Sequence, residues 1–303
     1  MRALIIGYGS IGSRHARILN DLGCNVSLVS SKINEQYHTY KTLEAAFKEN
    51  SYDKIIVSNS TNLHHETLKE INNANFNGTI LIEKPLFSKS ENLQNQDNVY
   101  IAYNLRFHEL IQKLKIVLQD DELISFSVQV GAYLPDWRKN IDYKNCYSAK
   151  KESGGGVLRD LSHELDYILW LCGNCIEVTA MGGHYSNLEI NSDDIYSILM
   201  QCERCPIINI QLDYLNKTPS RQIIIHTKNH KTFFLDLIKG EFYMNGELIL
   251  KVQDAIAKTY IRQHELLLRK EVSDFCDYKQ GLSIVKLIEV IEQSSFDRKW
   301  ITL

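Results

Sequence analysis

Short apolar runs alternate with stretches of helical periodicity through the first third of the chain. Residues 3–6, 26–29, 54–57, 79–82 and 99–102 read as strands, and residues 10–22, 43–50, 63–73 and a short segment after Ser90 read as helices. Strands separated by helices imply right-handed crossovers and therefore a doubly wound parallel sheet of α/β class. A further helix over about residues 107–119 closes this part. Beyond residue 120 the pattern changes. Residues 123–133 read as a long strand, 134–153 as a polar, aromatic loop, and 156–172 as one amphipathic helix. Consecutive strand-like runs fill 176–250, and helices near 255–278 and 282–294 follow. This order predicts an α+β second domain on a largely antiparallel open sheet, with a division into residues 1–119 and 120–303.

The 303 residues, 44% hydrophobic and 23% charged, suit a globular protein of about two domains. A net charge of −3 gives no reason to expect nucleic acid or an anionic membrane as partner. No apolar run approaches the roughly 18 residues of a membrane span, and no secretory leader is legible, so a cytoplasmic location is expected. Seven scattered cysteines argue against a disulfide framework. Cys172-Gly-Asn-Cys175 and Cys202-Glu-Arg-Cys205 leave two readings, a tetrahedral zinc site or small cysteines at a helix end and a hairpin turn. The second is the expectation, and no metal is assigned.

The chemistry starts at Gly7-Tyr8-Gly9-Ser10-Ile11-Gly12, which follows a strand and opens a helix. That is the context in which G-x-G-x-x-G binds a dinucleotide. Gly7 permits the tight turn, Gly9 lets backbone approach a pyrophosphate, and Gly12 allows close helix–strand packing. Ser10 and Ile11 begin the helix whose free N–H groups face the anion. After the second strand stand Ser30, Ser31 and Lys32, where a NAD enzyme usually carries a carboxylate. Two hydroxyls and an ammonium suit a 2′-phosphate, so NADP is favoured over NAD. Arg14 reads equally as a phosphate contact or a helix-surface residue. Asn59, Ser60 and Thr61 follow the third crossover strand at the carboxyl edge of the sheet, with Thr61 or Asn62 as N-cap of the next helix.

The glycine turn followed by Arg14-His15, then Glu83-Lys84-Pro85, then Gly154-Gly155-Gly156 leading to Asp160 and His163, resembles the glucose–fructose oxidoreductase, inositol dehydrogenase and rhizopine catabolism (Gfo/Idh/MocA) family. The resemblance covers essentially the whole chain. It implies an N-terminal Rossmann domain and a C-terminal domain whose open sheet forms homodimers or homotetramers. It also implies NAD(P)-dependent hydride transfer on a sugar, cyclitol or nucleotide sugar. The text around Tyr103, Asn104, Arg106, Tyr133 and Trp137 is similar to members acting in surface-sugar biosynthesis. Asp160 and His163 stand three apart where most members have four, and Ser60 stands where proline is common. Relatives that keep the fold as non-catalytic sensors supply the alternative function.

Oxidising a secondary alcohol needs a base for the hydroxyl proton and a cation beside the developing alkoxide. Lys84 and His163 supply this pair, with Asp160 orienting the imidazole; which of the two accepts the proton first is left open by the residues. Glu83 and Lys84 close the coenzyme side. On a helical wheel Leu158, Leu161, Leu165, Ile168, Leu169 and Cys172 share one face, while Asp160, His163, Asp166 and Tyr167 share the other. Tyr103, Asn104 and Arg106 are expected beside the substrate, Arg106 pairing either a substrate anion or an internal acid. Trp137, Arg138 and Tyr143 in the long loop either contact a sugar or anchor the loop.

Overall fold

The computed structural model describes residues 1–94, 96–137 and 142–303. In chain order the elements are β1 (Arg2–Ile6), α1 (Ser10–Asp21), β2 (Asn25–Val29), β3 (His38–Tyr40), α2 (Leu43–Glu49), β4 (Lys54–Val57), α3 (His64–Asn73), β5 (Thr79–Ile82) and β6 (Val99–Ile101). Next come α4 (Glu109–Val117), β7 (Leu123–Gly131), α5 (Val157–Asp160), α6 (His163–Cys172), β8 (Cys175–Gly183), β9 (Ile195–Cys202) and β10 (Cys205–Asp213). The remainder is β11 (Ser220–Thr227), β12 (Thr232–Asp236), β13 (Glu241–Met244), β14 (Glu247–Lys251), α7 (Ala255–Arg269), β15 (Cys276–Asp277), α8 (Tyr278–Asp297) and β16 (Ile301–Thr302). Two compact units result: Met1–Tyr103 with Tyr260–Val285, and Asn104–Thr259 with Lys286–Leu303. The division by chain order at residue 119 differs from this, because a late segment returns to the first unit. Among the described residues no helix is long and apolar enough to cross a membrane.

The first unit holds a seven-stranded sheet in the order β15-β6-β5-β4-β1-β2-β3. All pairs are parallel except β15 with β6. Continuous apolar strands fit a sheet covered on both faces, and Ala3, Leu4, Ile5, Ile55, Ile56 and Leu81 are fully buried. Helix α1 turns Gly12, His15, Ala16, Ile18 and Leu19 inward. Gly12 is obligatory there, since a Cβ would lie 2.1 Å from the Gly7 carbonyl oxygen. The returning segment is fixed by Lys54, whose buried Nζ donates to the Leu267 carbonyl at 2.8 Å.

The second unit holds a nine-stranded sheet in the order β14-β13-β12-β11-β7-β10-β9-β8-β16. Only β10 with β7 is parallel. Alternation is strict where it matters: Tyr196, Ile198, Met200 and Cys202 of β9 are buried while Ser197 and Leu199 are not. Helix α6 packs on the buried face, with Tyr167 stacked on Phe126 of β7 at 6.4 Å between ring centroids.

Three elements differ from expectation. Residues 90–94 and 96–98 form no helix; Asn, Gln and Asp compete for the backbone there, and the Leu93 N–H is taken by the Tyr278 hydroxyl at 2.7 Å. Helix α7 stops at Arg269 because Lys270 adopts a left-handed φ of 62° and Glu271 N–H returns to the Leu266 carbonyl. The single helix over 156–172 is two helices, α5 and α6. At Leu161 and Ser162 the chain tightens, with Ser162 N–H bonding Arg159 and Glu164 N–H bonding Leu161. The helical wheel does not carry across such a step, and its polar face is not solvated: His163, Glu164, Asp166 and Tyr167 are all buried.

The same burial makes one ion pair decisive. Arg106, in a 3₁₀ turn over Asn104–Phe107, reaches Asp166 with Nε at 3.0 Å and Nη2 at 2.7 Å, both side chains being essentially inaccessible. Removing one partner strands the other charge, so Arg106→Met should cost about 3–5 kcal/mol of unfolding free energy in urea titrations. An Arg106→Met/Asp166→Leu double variant should recover much of that loss; equal losses in both would mean the pair is not the cause.

Candidate functional site

The β1–α1 turn is built around Gly7, which has φ 92° and whose absent Cβ would fall 2.5 Å from the Asn59 nitrogen. Gly9 is the N-cap of α1 and contributes no side-chain cap, while the space where its Cβ would stand is open for 4 Å. The first N–H groups of a helix have no partner within it, and Ser10, Ile11 and Gly12 supply them here beneath an open cradle. Backbone donors, a helix dipole and room above Gly9 fit a pyrophosphate. Arg14 stacks its guanidinium over Tyr260 at 4.7 Å, so an aromatic ring holds it. A cavity of about 740 Å³ opens at the carboxyl ends of β1, β2 and β4, lined by Ile6, Val29, Lys41, Thr42, Glu44 and Asn59 among others. Lys41 and Glu44 were not foreseen: Lys41 follows β3, which has only three residues and no apolar pattern, and Glu44 stands in the first turn of α2 without a motif to mark it. Ser31 and Lys32 are exposed, and the Ser30 hydroxyl accepts the Lys32 N–H at 3.1 Å.

Asn59 donates through Nδ2 to the Thr67 hydroxyl at 2.9 Å. Neither Thr61 nor Asn62 caps α3. A 3₁₀ turn over Thr61–Leu63 intervenes, with Ser60 exposed at its start and Thr61 buried. At the end of β5 Glu83 is buried, with Oε1 2.8 Å from His15 Nε2 and Oε2 accepting the Lys84 N–H at 3.2 Å. Burial alone would raise the Glu83 pKa, but the His15 hydrogen bond, the Lys84 charge and the Lys84 N–H outweigh it and hold the carboxyl below its usual range. His15 Nδ1 lies 2.7 Å from His264 Nε2, in the returning segment. His64 clips the following loop, its Nδ1 near the Pro85 and Leu86 carbonyls and its Nε2 near that of Asn59. Lys84 is half-buried, and the Lys84–Pro85 bond is cis. His264 was missed as a contributor, since it has no signal in a single sequence.

In the second unit Asp160 and His163 lie at the end of α5 and the start of α6. The Tyr214 hydroxyl donates to Asp160 Oδ2 at 2.6 Å. Burial, followed by the Asp160 charge, drives the Tyr214 pKa well above its usual value. Trp137 packs edge-on against Tyr214 at 5.1 Å and donates through Nε1 to the Ala132 carbonyl. The unit therefore joins Trp137 to Asp160 through Tyr214, a residue the sequence reading did not single out. Asn104 is buried and bonded to Thr259, and Arg106 serves the internal pair with Asp166. Tyr103, expected beside the substrate, is 1% exposed in the first unit. Tyr143 accepts the Glu189 N–H at 3.3 Å, and Arg138 lies outside the described residues. Among the described residues no group of three or more His, Cys, Asp or Glu is arranged to hold a metal ion.

A Rossmann-type unit with an open glycine cradle and a second unit on a broad mixed sheet define a two-domain protein of dinucleotide-dependent type. Residues 113–230 match the GFO/IDH/MocA C-terminal domain, and residues 1–79 match the NAD binding domain of D-isomer specific 2-hydroxyacid dehydrogenases. Residues 113–230 therefore carry a C-terminal domain of the GFO/IDH/MocA family. No curated protein matches it by sequence. Its fold is similar to that of GenD2 from gentamicin A biosynthesis, solved with NAD, at 16% identity and TM-score 0.82 over 100% of this chain and 96% of that one. A myo-inositol dehydrogenase from Corynebacterium glutamicum aligns at 16% identity and TM-score 0.78, covering 100% and 98% of the two chains. The WlbA dehydrogenase of Bordetella pertussis, in complex with NADH and UDP-GlcNAcA, aligns at 16% and 0.79 over 100% and 98%.

One carboxyl beside α5 gives a pH test. Asp193 Oδ2 accepts the Leu158 N–H at 2.9 Å, and burial, opposed by that bond and by Arg159, pushes its pKa from 3.8 to about 6. A raised carboxyl pKa means that the fold binds the proton more tightly than the unfolded chain. Its contribution to stability is complete below the unfolded pKa and is lost as pH rises through about 6. Between pH 4 and 8 the wild type should lose about 2–3 kcal/mol relative to Asp193→Asn, measured by denaturant unfolding at each pH. A difference that stays flat over that range would remove the assignment.

Proposed function

We propose that the protein is an NAD(P)-dependent oxidoreductase that transfers a hydride between nicotinamide and a secondary alcohol or ketone of a sugar, cyclitol or nucleotide sugar. The open, uncapped start of α1 above Gly9 carries this reading. The nicotinamide, when bound, takes or gives the hydride. The turn from Gly7 to Gly12 binds the pyrophosphate, and Asn59, Ser60, Thr61 and Glu83 flank the same sheet edge. The Lys84 ammonium hydrogen-bonds the substrate oxygen and stabilises the alkoxide, while His163 takes the hydroxyl proton. Asp160, fixed by Tyr214, is the orienting acid. Trp137 and Tyr143 are the sugar contacts proposed from the long loop. Within the substrate class a nucleotide sugar of surface-polysaccharide synthesis is favoured, in keeping with the UDP-sugar bound to the Bordetella relative.

For the coenzyme we favour NADP, through Lys32, Ser30 and Ser31. The outward sheet face, with Ser127, Gln129, Met181, Leu199, Gln211 and Ile224, supports a second copy of the chain as partner.

Lys84→Ala should lower kcat at least about 100-fold while leaving thermal stabilisation by the coenzyme intact. The Lys84→Ala/His163→Ala double variant should fall little below the worse single one, because both groups serve one proton transfer. Unchanged turnover in Lys84→Ala, or fully additive losses, would refute the shared role. Lys32→Ala should raise KM for NADP about 10-fold and spare NAD, since a charged hydrogen bond to the 2′-phosphate is worth about 1.5 kcal/mol or more; equal effects on both coenzymes would remove the NADP assignment.

A further inference from the structure

Both C-x-x-C pairs lie in the second unit, and the register brings them together. Cys202, the last residue of β9, stands directly opposite Cys175 of β8 on one side and Cys205 of β10 on the other. Directly opposed residues share a face, so these three sulfurs lie on the same side of the sheet. Cys172 ends α6 on that side, and its thiol neighbours that of Cys205. The backbones are knitted as well: Arg204 N–H bonds the Cys172 carbonyl at 2.9 Å, and Glu203 N–H bonds that of Asn174 at 3.1 Å. The Glu203 carboxylate returns to the Asn174 N–H at 3.0 Å. Nothing in the proposed hydride transfer uses these residues.

We propose that Cys175 and Cys202 form a dithiol–disulfide site closed by a hydroperoxide. Directly opposed residues of an antiparallel pair have Cα atoms about 4.5–5.5 Å apart, inside the window of about 4.4–6.8 Å that a disulfide spans. Cys175 alone among the described cysteines is half-exposed, whereas Cys202 and Cys205 are at 1% and 0%. The oxidant therefore enters at Cys175, and Cys202 resolves. The Cys202 thiol hydrogen-bonds the Cys175 sulfur, which lowers the Cys175 pKa despite partial burial and raises that of Cys202. The Cys175 thiolate attacks hydrogen peroxide, forming the sulfenic acid and releasing hydroxide. The Cys202 sulfur then displaces the sulfenic hydroxyl; the Cys202 proton leaves with it as water, and the S–S bond forms. Both thiols are oxidised and one peroxide is reduced to two waters. The bond ties the start of β8, just past the end of α6, to the end of β9.

The test is stoichiometric hydrogen peroxide on the reduced full-length protein, followed by intact-mass and peptide mapping. The expected result is loss of two hydrogen masses, reversal by dithiothreitol, and a cross-linked peptide joining Cys175 to Cys202. Thermal denaturation of the oxidised wild type should move upward, because the cross-link restricts the unfolded chain, with no shift in Cys175→Ser. Mapping on wild type stands whether or not a Cys202→Ser variant folds. Over-oxidation of Cys175 to sulfinic acid without a cross-link, linkage of any other pair, or zinc retained by the reduced protein and released only on thiol modification would each overturn the proposal.

Discussion

A carboxylate largely withdrawn from water must be held by donors that replace it, and Glu83 is such a group. Its stabilisation comes from His15 on one oxygen and the Lys84 N–H on the other. His15 in turn meets His264, 249 residues further along the chain. Burial keeps His264 neutral, its pKa lying well below the usual histidine value. With the proton on its Nε2, His264 donates to His15 Nδ1, and His15 Nε2 then donates to Glu83. The remaining His264 Nδ1 is a bare acceptor with no partner among the described residues, which costs less than a buried, unsatisfied N–H. One proton assignment thus serves all three groups. Because His15 rides on α1, the carboxylate fixes the glycine turn and the residue before Lys84 relative to each other. The coenzyme cradle and the proposed catalytic amine inherit their spacing from this contact.

The second unit repeats the logic with different partners. The polar side of α6 is enclosed, so each ionic group on it is matched: Asp166 by Arg106 and Glu164 by Arg221 at 3.0 Å. Such pairs add little net stability over apolar residues, but they penalise any packing in which a partner is missing. They specify where α6 sits on the sheet. The helix that carries His163 is therefore positioned by charge pairing as well as by Tyr167 on Phe126.

Much of the fold was legible because a parallel sheet writes itself as apolar runs and an open antiparallel one as alternation. The five strands β1, β2, β4, β5 and β6 and the glycine turn follow from local pattern alone. What pattern could not reveal was long-range or short. The three-residue β3, which brings Lys41 to the cavity beside β2, is too brief for periodicity. The return of residues 260–285 to the first unit is a tertiary event with no local cue. Asp160, His163 and Asp166 read as one polar stripe, with nothing local to show how much of it is enclosed; burial of Asp166 and Glu164 depends on Arg106 and Arg221, both distant in sequence. Tyr214 closes a strand and carries no motif, so its bond to Asp160 appears only in three dimensions.

That bond is itself prepared by two adjacent residues between β8 and β9. The Asp193 carbonyl accepts the Val157 N–H at 3.0 Å, where α5 begins, and the Asp194 carbonyl accepts the Tyr214 N–H at 2.8 Å. One peptide link therefore sets the distance from the start of α5 to Tyr214. Helix α5 has only four residues, so Asp160 lies one turn from that fixed point and cannot drift from the phenol. Gly156, at φ 121°, is the residue that lets the chain come so close, since a Cβ there would meet the Asp193 carboxylate at 2.2 Å. Gly156 is thus a packing requirement of Asp193, Gly155 one of the Tyr147 carbonyl, where a Cβ would lie at 2.2 Å, and the backbone bonds of Asp193 and Asp194 are what hold Asp160 near Tyr214.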